Sequence, residues 1–178
     1  MLRLALSSLE ELRDKLQKRG QQRPSMILPS ANPNIVEAIQ IVEEYGALCE
    51  AMYLVMAADR RVFNVEREVL RGALDVLSNG RVRTAHMEAM LDASARRAAT
   101  EGAEKRLSKV IEALRDDPIR AESTVVLAAA VAAADGHIVP EEHAIFNALA
   151  RGLDIDEKRA NDLLSTLTTQ LEKPADKL

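Results

Sequence analysis

The chain has 178 residues, 47% of them hydrophobic, 29% charged and only 2% aromatic, with no Trp and a formal net charge of −4. That length suits one compact domain with a sizeable core. The acidic balance argues against a nucleic-acid binder, which needs a concentrated basic face. No apolar run reaches the roughly 18 residues of a membrane span or has the make-up of a signal peptide, so the expected location is cytoplasmic, without membrane insertion.

A core with so few aromatics has to be built from Ala, Leu, Val, Ile and Met, which favours closely approaching helices over a β-sandwich. The expected fold is all-α. Leu2, Leu6, Leu9, Leu12 and Leu16 recur at helical spacing and predict an amphipathic helix over residues 3–19, ended by Gly20. Residues 20–34 carry Pro24, Pro29 and Pro33 among Ser, Gln and Asn, the composition of a linker. The expected division is therefore an N-terminal helix 1–19, a linker 20–34, a helical domain 35–172 and a tail 173–178. Three placements of the first helix stay open: packed on its own domain, in a homo-oligomer contact, or in a partner's groove.

From Asn34, Ile35, Ile39 and Val42 predict a helix to about Tyr45, with Gly46 placed to kink or end it. Ala47 to Asp59 is apolar nearly all round and reads as a buried helix, with Cys49, the only cysteine, as a small core residue. A helix over 65–78 follows, stopped by Ser78-Asn79-Gly80. Residues 83–115 read as two helices or one bent helix, with Gly102 the interior breaker. Asp117 and Pro118 have the form of an N-cap and first helical residue, opening a helix to Asp135. Helices over 141–151 and about 157–171, the latter carrying Leu163, Leu164 and Leu167, complete a bundle of seven to eight helices.

One stretch occurs twice. Ala57-Ala58-Asp59-x-x-Val62-x-x-x-Glu66 returns, 76 residues later, as Ala133-Ala134-Asp135-x-x-Ile138-x-x-x-Glu142. Each copy ends an apolar helix at an Asp, turns a corner around a β-branched residue and opens the next helix with a Glu, so the domain is expected to contain two helical hairpins related by a pseudo-two-fold. The second copy has the spacing of the latter half of an EF-hand loop, but Val131 and Ala133 stand where its first ligands would be, which argues against one. Two readings remain for the corners. Asp and Glu there can simply cap backbone N–H groups; or two Asp–Glu pairs brought together can offer four carboxylates to a hard divalent cation such as calcium, magnesium or manganese. His137 and His143 flank the second corner and, like the isolated His86, read as surface or supporting residues. Arg60, Arg61, Arg67 and Arg71, interleaved with Glu66 and Glu68, read as an ion-paired face.

These residues resemble a known family. Ala132-Ala133-Ala134-Asp135-Gly136-His137-Ile138-Val139-Pro140-Glu141-Glu142, followed by Ala144, Leu149 and Leu153, is similar to the signature of the tellurite-resistance TerB-like domains and to a region of DjlA-type co-chaperones. The first copy, from Ala57 to Val62 with Glu66, Arg67, Glu68 and Leu70, resembles the same family's earlier motif. The resemblance covers about residues 36–170. It implies an all-helical, internally pseudo-symmetric domain with a divalent-cation site, which on matching positions is Asp59, Glu66, Asp135 and Glu142. Arg60 departs from the Gly common at its position in the family. The implied role is a non-enzymatic binding module for a protein partner, in stress-related assemblies that can be membrane-associated. An oligomeric scaffold without metal is the alternative, and a metal-dependent hydrolase a weaker one, since no Gly-x-Ser-x-Gly, phosphate loop or His-Glu-x-x-His is present.

Overall fold

The computed structural model describes residues 18–19 and 35–162. Most of the expected first helix, the 20–34 linker, Leu163, Leu164, Leu167 and the tail lie outside the described residues. The described residues form helices and turns, with no strand among them. Six of their helices are α1 (Ile35–Met56), α2 (Asn64–Leu77), α3 (Thr84–Glu101), α4 (Ala103–Leu114), α5 (Pro118–Ala132) and α6 (Pro140–Gly152). A further helix is described over 157–162.

α1 is the axis of the bundle, packed against α3, α4, α5 and α6. Ile41, Cys49, Ala51, Met52, Val55 and Met56 are fully buried along it, and burial pushes the Cys49 thiol up to about 12, the behaviour of an inert core residue. Gly46 does not end α1, which runs on from Ile35 to Met56. An interior Gly costs a helix only about 1 kcal/mol relative to Ala, and the flanking Tyr45, Leu48 and Cys49 are anchored in the core. Packing decides the matter. At Gly102 the expected break does occur, at φ +89, a conformation that L side chains rarely adopt, and it separates α3 from α4.

Helix α5 begins as its sequence predicts. Pro118 occupies its first turn, and the Asp117 carboxylate accepts hydrogen bonds from the N–H groups of Ile119 (3.0 Å) and Arg120 (3.1 Å). α2 stops at Ser78, and Asn79 (φ +51) and Gly80 (φ +80) turn the chain.

One buried feature departs from the apolar reading of α1. Glu50, only 3% exposed, accepts hydrogen bonds from Arg97 Nη2 (2.8 Å) on α3 and from Arg106 Nε (2.6 Å) and Nη2 (2.9 Å) on α4. Burial alone would raise its pKa, but the hydrogen bonds from Arg106 and Arg97 outweigh that and hold it below the usual range. The ion group ties the two helices that Gly102 separates to the central one.

Candidate functional site

The two acidic corners follow α1 and α5. Both helices end three residues before the Asp, at Met56 and Ala132, rather than at Asp59 and Asp135 as the apolar runs suggest. The intervening alanines close the helix end with turn hydrogen bonds: Ala58 N–H to Val55 O (3.2 Å) and Arg60 N–H to Ala57 O (3.0 Å) in the first corner, Ala134 N–H to Val131 O (3.0 Å) and Gly136 N–H to Ala133 O (3.3 Å) in the second. An apolar alanine run continues the pattern without continuing the helix.

The repeat extends to side-chain hydrogen bonds. Asp59 Oδ1 accepts from Arg61 N–H at 2.8 Å, and Asp135 Oδ1 from His137 N–H at 2.9 Å. Glu66 Oε2 accepts from Phe63 N–H at 2.7 Å, and Glu142 Oε2 from Val139 N–H at 3.3 Å. Each Asp thus braces its own turn, and each Glu, at the third position of its helix, reaches back to the residue that precedes that helix, the reciprocal half of a capping box. Arg60 and Gly136 also match. Arg60 does not reach the corner by a different backbone, as its side chain suggests; it takes the same left-handed conformation, φ +66 against +88, at the steric cost that Gly avoids.

The helices interlock across the repeat: α1 packs on α5, α2 on α5, and α6 on α1. Each copy's second helix therefore rests on the first helix of the other; α6 packs on α5 as well, but α2 does not pack on α1 in the same way, so the first copy is a helix–corner–helix unit rather than the expected hairpin. Glu66 and Glu142 are buried, at 1% and 4% exposure, while Asp59 is half-buried and Asp135 exposed. Burial, with the negative charges of Glu142, Asp135 and Asp59 adding to it against the Phe63 hydrogen bond, raises the Glu66 pKa to about 8. Burial, with Asp59, Asp135 and Glu141 adding to it against the Val139 hydrogen bond, raises Glu142 to about 7. Carboxylates of one corner thus act electrostatically on those of the other.

Among the described residues no Lys or Arg pairs with Glu66 or Glu142; Arg67 and Arg71 turn instead to Glu88 on α3, at 2.5 and 4.0 Å. Among the described residues, too, no three or more His, Cys, Asp and Glu side chains converge closely enough to surround an ion. The donor set nevertheless has the chemistry of a hard-cation site, being carboxylate oxygen throughout, and Glu66 and Glu142 each leave one oxygen outside the cap. Val131 and Ala133 are fully buried, so the first half of an EF-hand loop is absent. His137 and His143 are exposed. His86 Nδ1 lies 3.2 Å from Arg83 N–H at the start of α3, where it acts as a cap.

The sequence matches the family model described as Tellurite resistance protein TerB over residues 45–166, well over half of the chain and spanning both corners. The chain belongs to the TerB family. No curated protein and no solved structure matches it. The match covers this TerB domain from the second half of α1 through the described part of the last helix. Among the described residues no helix is long and apolar enough to cross a membrane.

Proposed function

We propose that this TerB domain is a non-enzymatic binding module that takes up a divalent cation between its two corners, with Asp59, Glu66, Asp135 and Glu142 as ligands and calcium, magnesium or manganese as the ion. The observation that carries the reading is the pair of buried glutamates, each under the negative charge of other acidic residues and neither paired with a basic side chain among the described residues. A cation would relieve both the burial and the repulsion. Side-chain rotations that keep the caps would have to bring the free oxygens together. The family description names tellurite resistance, and on this reading the module serves stress-related assemblies through a protein partner, in the cytoplasm or at the membrane surface.

A second reading is favoured by the caps themselves. All four carboxylates already accept backbone N–H groups, so a helical scaffold whose corners only terminate helices accounts for the same bonds. Thermal melts of the metal-stripped protein separate the two. An ion at a hundredfold over its Kd stabilises the native state by about 2.7 kcal/mol, a rise of about 7 °C in melting temperature for a chain of this length. Glu66→Gln with Glu142→Gln should remove that rise. Melting unmoved by calcium, magnesium and manganese would favour the scaffold.

A further inference from the structure

The pseudo-symmetry supplies a control for burial, and α2 departs from it on one face. Glu66, Leu70, Ala73 and Leu74 face the core, and their counterparts Glu142, Phe146, Leu149 and Ala150 on α6 are buried alike. On the side turned away from the core the two helices differ. Asp75, about half a turn from Glu66 in projection at roughly 100° per residue, is 3% exposed, whereas its counterpart Arg151 is exposed. Gly72, a turn earlier on the same side, is buried, whereas Ala148 is half-buried; Glu68 is half-buried, whereas Ala144 is exposed. The outer face of α2 is covered, and that of α6 is not.

Arg19 identifies the cover. Its Nε pairs with Asp75 Oδ2, and the Asp75 side chain is 4% exposed. Residues 18 and 19 are helical. Arg19 stands three residues after Leu16 and seven after Leu12, so in the helix their spacing predicts it lies on the leucine face. With Arg19 held at Asp75, a helix of that spacing would present its leucine face to α2. The 15 residues from 20 to 34 can reach up to about 50 Å when extended, ample for the segment to fold back onto its own domain. Gly72, without a side chain, lets a second helix come close.

We propose that the outer face of α2 is the docking surface for the chain's own N-terminal helix, residues 3–19, held by its leucine face and latched by Arg19 on Asp75. The inference is independent of the cation reading. Hydrogen–deuterium exchange on the full chain tests it, with α5 amides as the internal reference. Leu12→Asp and Arg19→Glu should each speed exchange of the amides of residues 68–77 about tenfold, the scale of a lost buried contact or charged hydrogen bond. Arg19→Glu combined with Asp75→Lys should restore most of the protection. Unchanged exchange in both single variants would overturn the proposal. Protection that fades on dilution, together with a dimer mass by light scattering, would overturn it as well, placing a second copy's helix on the face.

Discussion

At Glu66 and Glu142, burial and like charge act in the same direction. Their folded-state values of about 8 and about 7 lie above the ordinary 4.5, so the folded chain holds these protons more tightly than the unfolded chain does. The cost of ionising them is present in full above about pH 8 and falls as the pH drops through 8 and 7 toward 4.5. Metal-free protein should therefore melt higher at about pH 6 than at about pH 8.5, and Glu66→Gln with Glu142→Gln should flatten that slope. A melting temperature that stays unchanged or rises from about pH 6 to about pH 8.5 would contradict the assignment. Arg60 and Gly136 give a second check at single residues. Arg60→Gly should stabilise by about 0.5–1 kcal/mol by releasing a left-handed side-chain residue, and Gly136→Ala should cost about 1 kcal/mol, both read by denaturant melts. The sequence made this pair visible as a mismatch, Arg against Gly, but not its resolution. Only the backbone shows that the corner's geometry is kept and the strain accepted.

Helices were legible where chemistry at their ends is local. Asp117-Pro118, Ser78-Asn79-Gly80 and Gly102 mark boundaries that the fold respects, because caps and left-handed turns depend on neighbouring residues alone. Gly46 misled because a modest local penalty was set against the burial of residues on either side of it. The ends of α1 and α5 were read three residues late because the alanines that follow continue an apolar pattern through a turn. Glu50 was missed as a structural element for a different reason: its partners Arg97 and Arg106 are far along the chain, and nothing local announces them. Its energetics are those of a buried ion group, in which removing one partner leaves the other charges uncompensated. Glu50→Ala should destabilise the fold by about 3–5 kcal/mol in urea melts. A loss below about 1 kcal/mol would mean that Arg97 and Arg106 are as well served by water as by Glu50.

For the whole molecule, the repeat at a spacing of 76 residues carried the most information. It led to two helix–corner–helix units, which the fold interlocks so that α2 rests on α5 and α6 on α1, and it included all four carboxylates. What it left open was their burial: the glutamates are almost fully enclosed and the aspartates are not, a difference set by tertiary packing rather than by spacing. The central claim is that these carboxylates serve an ion as well as the helix ends. The most direct measurement is titration calorimetry of the metal-stripped protein with calcium, repeated with manganese and with Asp135→Ala. The account predicts saturable heat with at least one of the two ions in the parent, and its loss in the variant with helicity unchanged. No heat from either ion, or the same heat in Asp135→Ala, would contradict it and leave the four carboxylates as caps.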